Sequence, residues 1–155
     1  MTAKANVQIG EVYEIPLVDG RHAYCQYVLY NRELGYMVRV FSLLAAQPVG
    51  TLETLRGSPL MFPPVFVALK AIVRADRWKR VGTLPVEDFS FPKFRFTMGT
   101  KPGVYHDWSI WDGANTRKIG DLPESQRTLQ LKCISGCETI EERIATGSYR
   151  GDKMF

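Results

Sequence analysis

The sequence predicts a mainly β protein with a minor α content: one domain built on a curved antiparallel sheet or a small barrel, with a short C-terminal helix. Apolar and β-branched residues alternate over several short segments, as they do in strands with one buried face. Dipeptides that favour hairpin turns, among them Asp19-Gly20 and Asp112-Gly113, separate these segments. The chain has 155 residues, 45% hydrophobic and 23% charged, which is typical of a globular domain. We therefore expect a single domain over residues 1–155, with flexible ends at residues 1–8 and 148–155.

The first third of the chain predicts three strands. Residues 11–17 form the first, and Pro16 near its end indicates an edge position or a bulge, because proline donates no hydrogen bond to a neighbouring strand. Residues 21–30 have no strongly polar face, which is typical of a central strand. Residues 36–41 form the third strand.

The middle of the chain predicts a long connection followed by a strand pair. Residues 44–64 are rich in proline and glycine, and allow at most one short helical turn near residues 51–55. Residues 65–73 fit a strand or a short helix, and their β-branched content favours the strand. Residues 77–82 are then predicted to form a strand that pairs antiparallel with residues 65–73. Residues 89–96 are predicted to be extended, with an interruption at a proline.

The C-terminal third predicts a tryptophan-rich hairpin and then a short helix. Strand alternation places Trp108 and Trp111 on opposite faces, so we expect one of them in the core and the other exposed. Thr139 and Glu142 have the spacing of a capping box, which predicts that the helix begins at Thr139. Gly147 is the residue expected to end it.

The charge of the chain argues against a nucleic-acid binder. The net charge is +4, and the basic residues cluster only mildly, whereas a nucleic-acid binder usually carries a dense basic stripe. The one local concentration consists of Arg74, Arg77, Lys79 and Arg80. Trp78 within it fits either a core residue or a platform for a nucleobase, and a lone tryptophan on a strand favours the core.

No segment predicts a membrane span or a secretory signal. The longest apolar stretch, residues 59–73, contains three prolines and a lysine and is shorter than the ~20 residues that a membrane helix needs. Residues 1–6 are polar and lack the apolar region of a signal peptide, so we expect a cytoplasmic protein.

The residue types needed for catalysis do not occur together in the sequence. His22 and His106 have no nucleophile or carboxylate at the spacing of a dyad, and the side chains of His106 and Asp107 are expected to point to opposite faces of a strand. We therefore expect no catalytic residues, no metal and no cofactor, and a protein that is not an enzyme. The cysteines fit neither a disulfide framework nor a zinc site, and reduced thiols are expected at Cys25, Cys133 and Cys137.

Six segments in this order resemble the immunity protein 26 family. They are Gly-Glu-Val-Tyr-Glu-Ile-Pro-Leu-Val-Asp-Gly at residues 10–20, Arg-Trp-Lys-Arg-Val-Gly at 77–82, Phe-Pro-Lys-Phe-Arg at 91–95, Trp-Ser-Ile-Trp-Asp-Gly at 108–113, Ile-Gly-Asp-Leu-Pro at 119–123 and Ile-Glu-Glu-Arg-Ile at 140–144. The resemblance implies a largely β-structured immunity protein of a bacterial polymorphic toxin system, which neutralises a cognate toxin by binding it. It implies no catalytic residues.

The function expected from the sequence is binding of a cognate toxin domain. Aromatic and basic residues are the usual anchors of such an interface, and an acidic toxin face would suit the basic ones. The candidates for partner binding are Trp108, Trp111, Arg77, Lys79 and Phe62. Two alternatives stay open: a small-barrel nucleic-acid-binding protein, and a ribonuclease-like enzyme with His22 or His106 beside a carboxylate and an arginine.

Overall fold

The computed structural model describes residues 6–101 and 104–155, and these form two compact units. The first unit comprises the described residues up to 89 together with residues 134–147, and the second comprises residues 90–133 and 148–155. In chain order, the strands are β1 (Glu11–Pro16), β2 (His22–Asn31), β3 (Gly35–Val40), β4 (Val65–Val67), β5 (Lys79–Thr83), β6 (Phe94–Lys101), β7 (Val104–Trp111), β8 (Thr116–Gly120), β9 (Gln130–Leu131) and β10 (Ile134–Ser135), and the α-helices are α1 (Leu69–Arg74) and α2 (Cys137–Thr146).

The first unit is a mixed sheet in the order β10-β4-β3-β2-β1-β5. Neighbouring strands are antiparallel except β10 and β4, which are parallel. Both α-helices supply core residues: Leu69 and Ile72 of α1, and Ile140 and Ile144 of α2, join a cluster with Trp78 and the apolar face of the sheet. Trp78 is 1% exposed, which confirms its predicted place in the core.

The second unit is a smaller mixed sheet in the order β8-β7-β6-β9, with β6 and β9 parallel. A guanidinium group is buried in this unit: Arg95 donates to the backbone oxygens of Leu129, Gly151 and Met154 at 2.5–2.8 Å. These bonds use three of the five N–H groups of a side chain that is 1% exposed. Arg150–Lys153 is a 3-10 helix, and the predicted flexibility of residues 148–155 stays a prediction.

The predicted fold class is confirmed. The chain is mostly β, both sheets are open and mixed, and α2 is the short C-terminal helix. The three N-terminal strands and the helical turn at Leu52–Leu55 lie where the sequence placed them. Gly147 ends α2 with a left-handed φ of 78°. None of the described helices is long and apolar enough to cross a membrane.

Four local predictions are wrong. Residues 65–73 were predicted to form one strand, but they divide into the strand β4 and the helix α1. Strand β5 was predicted to pair with that strand, but it pairs with β1. The irregularity of β1 lies between Val12 and Tyr13, and β1 is flanked by β2 and β5, so Pro16 marks neither an edge nor the bulge. Helix α2 begins at Cys137 with Gly136 as its N-cap, two residues before the predicted capping box.

The prediction of one exposed tryptophan is also wrong. Trp108 and Trp111 are 1% and 6% exposed. Trp108 packs with Leu122 and Leu131, whereas the Trp111 ring lies against the rings of Phe91 and Phe94. Each tryptophan therefore has its own apolar cover.

Candidate functional site

The predicted binding residues do not form one surface. Both tryptophans are buried, so neither offers an exposed aromatic anchor. Phe62 is half-buried against the core of the first unit, and the guanidinium of Arg143 lies 4.0 Å from its ring centroid. Lys79 is exposed on β5.

Arg77 leads to a different kind of surface. Its guanidinium contacts Glu138 at 3.4 Å and Glu141 at 3.1 Å, so it is not the free cation that the sequence suggested. These contacts join the segment before β5 to the start of α2. The groove next to them has a volume of about 470 Å³. We call it the acidic groove, and it is lined by Val18, Asp19, Arg77, Glu138, Glu141, Glu142 and Ala145.

Three distant parts of the chain build the acidic groove. The β1–β2 turn contributes Val18, which is fully exposed, and Asp19, whose carboxylate bonds the backbone and side chain of Arg21. Those bonds lower the pKa of Asp19 below its ordinary value, which keeps it ionised. Helix α2 contributes its outer face, and Ala145 there is exposed.

Glu141 is the fixed carboxylate of the groove. Trp78, which is buried, donates its Nε1 to Glu141 Oε1 at 3.1 Å, while Arg77 holds Oε2. The Glu141 side chain is only 14% exposed. Glu142, by contrast, is exposed, and its carboxylate makes no ion pair within the part of the chain that the structure describes. Four carboxylates line the groove against Arg77, and Arg21 pairs with one of them, Asp19, so the net charge of the groove is still negative.

Sequence reasoning missed the acidic groove because it interpreted Glu142 only as part of a capping box. A signal was present: Glu138, Glu141 and Glu142 stand at the i, i+3 and i+4 spacing that places side chains on one helix face. The three carboxylates share the face that Arg77 meets.

The histidines have carboxylate neighbours that the sequence did not predict. Pairing of β1 with β2 brings His22 Nδ1 to 3.2 Å from Glu14 Oε1, and the Tyr24 hydroxyl donates to Glu14 Oε2 at 3.3 Å. His106 Nδ1 lies 2.7 Å from Asp107 Oδ2. The expected opposite orientation is wrong there because Asp107 has a φ of 57°, which breaks strand alternation.

Each histidine therefore lies beside a carboxylate, but among the described residues neither of these carboxylates forms an ion pair with an arginine, which the ribonuclease-like alternative also needs. Tyr24 also accepts a hydrogen bond from the amide of Val49, and burial raises the pKa of its hydroxyl, so it stays protonated and serves to link strands. Among the described residues, no group of three or more histidine, cysteine or carboxylate side chains is placed to hold a metal ion. The cysteines are free thiols, and Cys25 is buried, which raises its pKa and disfavours the reactive thiolate.

Comparison with known proteins gives one result. The family model described as immunity protein 26 matches residues 8–103, more than half of the chain. No match was found among curated proteins or among solved structures. The matched region contains the segments at residues 10–20, 77–82 and 91–95, whereas the Trp108 hairpin and α2 lie beyond it. On this match, the chain belongs to the immunity protein 26 family.

Proposed function

We propose that the protein neutralises a cognate bacterial polymorphic toxin by binding it, and that the acidic groove is part of the contact surface. Membership of the immunity protein 26 family supports the first statement. The second rests on the excess of carboxylates in a groove built from three separated segments. Neutralisation by binding needs no chemical reaction on the toxin. The location of this protein in the cytoplasm stays a prediction.

The groove favours a basic partner rather than the acidic one expected from Arg77 and Lys79. Val18 and Ala145 give it an apolar surface, and Glu138 and Glu142 are exposed beside them. A lysine or arginine of the toxin has an aliphatic stem for the apolar part and a charged head for the carboxylates. Glu141 is already held by Trp78 and Arg77, so little further ordering of that side chain is required on binding.

Charge reversal in the groove tests this assignment. In Glu138→Lys and Glu142→Lys, we expect association with the cognate toxin domain to slow roughly tenfold at low salt, because the attraction becomes repulsion. Kinetics at about 50 mM and about 300 mM salt should show a smaller loss at the higher concentration.

The matched control is Glu124→Lys, which makes the same charge change at an exposed residue of the second unit. An equal loss in all three variants would mean that only net charge matters. Wild-type rates in both groove variants would place the toxin contact elsewhere, while family membership would stand.

A nucleic-acid-binding role is the second candidate. The observation that favours it is β5, an edge strand on which Lys79 and Arg80 are exposed. Trp78 is buried and therefore provides no stacking platform. Binding to generic RNA that weakens steeply with salt, and is lost in Lys79→Glu, would support this role.

A further inference from the structure

A second concave site of the first unit is centred on Arg39. Its volume is about 270 Å³, which is near the lower end for small-molecule sites. We call it the Arg39 cavity. Its walls include Gln26, Arg39, Phe41, Arg56, Glu87 and Asp88.

Arg39 is held rigidly in this cavity. It lies opposite Gln26 in the β2–β3 ladder, and its Nε and Nη2 donate to Gln26 Oε1 at 3.0 and 2.8 Å. Gln26 is fully buried, and its Nε2 donates to the backbone oxygen of Leu84 at 2.7 Å. Arg39 Nη1 donates to the backbone oxygen of Glu87 at 2.7 Å. The guanidinium is therefore fixed in place before any ligand arrives.

The acceptors of Arg39 are neutral, which distinguishes it from its neighbour Arg56. Arg56 contacts the carboxylates of Glu87 at 2.5 Å and Glu53 at 3.3 Å. Arg39 bonds an amide oxygen and a backbone oxygen, and partial burial lowers its pKa because the charge loses water. Three donated bonds leave two of its five N–H groups for a further acceptor.

Asp88 is the remaining carboxylate of the cavity. Its charge raises the pKa of Arg39, yet within the described part of the chain its side chain forms no hydrogen bond or ion pair with Arg39. Asp88 has a φ of 50°, a conformation that asparagine and aspartate tolerate better than most residues. Asp88 is exposed, so its carboxylate is accessible to solvent.

We propose that the Arg39 cavity binds a single carboxylate group, with the fork of Arg39 as its main contact. A carboxylate would supply the charged acceptor that Arg39 lacks, and two N–H groups of one guanidinium match its two oxygens. The source of that group is either a small free carboxylate or an aspartate or glutamate side chain of a protein.

Titration of the intact protein with small probes tests the proposal without any toxin. We expect acetate to shift the NMR signals of Arg39 Nε–H and of the Gln26 side-chain amide, with saturation in the millimolar range. Neutral acetamide should give no saturable shift. A blocked Gly-Asp-Gly peptide identifies the source: binding like that of acetate assigns the site to protein side chains, whereas binding of acetate alone assigns it to a free carboxylate.

Variants of the cavity provide the decisive comparison. Asp88→Asn keeps the backbone conformation and removes a competing charge, so acetate should bind roughly fivefold more tightly. Asp121→Asn, an exposed residue of the second unit, is the matched control and should leave the affinity unchanged. Arg39→Lys keeps the charge but loses the fork, and Arg39→Gln loses both, so binding should weaken in that order.

The proposal is overturned if acetate gives no saturable shift up to roughly 100 mM, or if acetamide binds equally well. It also fails if Asp88→Asn binds acetate no better than Asp121→Asn. That comparison decides the question even if Arg39→Gln does not fold.

Discussion

At the scale of single residues, Asp112 and Gly113 form the β7–β8 turn by different means. Asp112 Oδ1 accepts hydrogen bonds from the amides of Ala114 at 2.9 Å and Asn115 at 2.7 Å. Gly113 has a φ of 95°, and a Cβ atom there would lie 2.7 Å from the Phe91 ring. That ring packs against Phe94 and Trp111 and has little freedom to move.

Gly113→Ala is therefore expected to destabilise the protein by roughly 1–3 kcal/mol, from backbone strain and from the clash with Phe91. Gly50→Ala is the control, because a Cβ at Gly50 meets no atom within 4 Å and its backbone φ is not in the left-handed region. It should change the free energy of unfolding by less than about 0.5 kcal/mol. Denaturant unfolding of both variants measures the difference, and equal stabilities would contradict the strain argument.

Asp112 predicts a pH dependence of the same turn. The amides of Asn115 and Ala114 lower its pKa below the ordinary 3.8, so the folded state favours the carboxylate. The stabilisation is present above the pKa of the unfolded chain and is lost as the pH falls through the lower folded value. The stability difference between wild type and Asp112→Asn should thus be largest above about pH 5 and shrink below about pH 3.5, by denaturant unfolding at each pH. A difference that is constant with pH would show that charge is not involved.

At the scale of elements, β7 shows how both tryptophans of one strand can be buried. Its pairing with β8 shifts register between Trp108 and Ser109, next to the left-handed Asp107. Trp108 lies beneath the guanidinium of Arg95, 5.0 Å from the ring centroid, and Lys132 Nζ lies 4.4 Å from the Trp111 centroid. Over residues 108–111, both faces of β7 are therefore covered, whereas Tyr105 nearer the start of the strand is 37% exposed.

Trp108→Ala and Trp111→Ala are both expected to cost on the order of 3–5 kcal/mol, because each removes a buried indole. Met98→Ala on β6 is a suitable control, since Met98 is 79% exposed and should cost less than about 0.5 kcal/mol. The three free energies of unfolding are measured by denaturant titration. If either tryptophan variant lowers the free energy of unfolding only slightly, that tryptophan is exposed and could serve as an aromatic anchor.

At the scale of the whole molecule, the first unit is completed by residues far from its main segment. The family match ends at residue 103, yet β10 and α2 belong to this unit and start at Ile134. Ile140 and Ile144 are 1% and 5% exposed in its core, and Glu141 accepts the hydrogen bond of Trp78. The matched region alone therefore lacks part of its own core.

Truncation tests this dependence. Fragment 1–103 should unfold without a cooperative transition and bind a hydrophobic dye, because loss of α2 exposes the side chains that it covers. Fragment 1–147 keeps both segments of the first unit and should retain its cooperative transition, although it loses the Gly151 and Met154 oxygens that Arg95 bonds. Thermal unfolding followed by circular dichroism distinguishes the two. A cooperative transition in fragment 1–103 would show that α2 is dispensable.

The sequence by itself determined the features that depend on near neighbours in the chain. Alternation and turn chemistry identified β2, the Asp112-Gly113 turn and the end of α2 at Gly147, because dihedral preferences and side-chain periodicity act over a few residues. The ordered segments at residues 10–20 and 77–82 also indicated the family.

Only the tertiary structure decided which residues meet across long stretches of chain. Alternation states that a strand has two faces, but not whether one or both are covered, so the burial of Trp108 and Trp111 had to come from packing. The contacts of Arg77 with Glu138 and Glu141 join residues about sixty positions apart. Because of these contacts, a basic residue lies in a groove whose net charge is negative. Charge on a surface is a sum over spatial neighbours, and the chain order does not specify that sum.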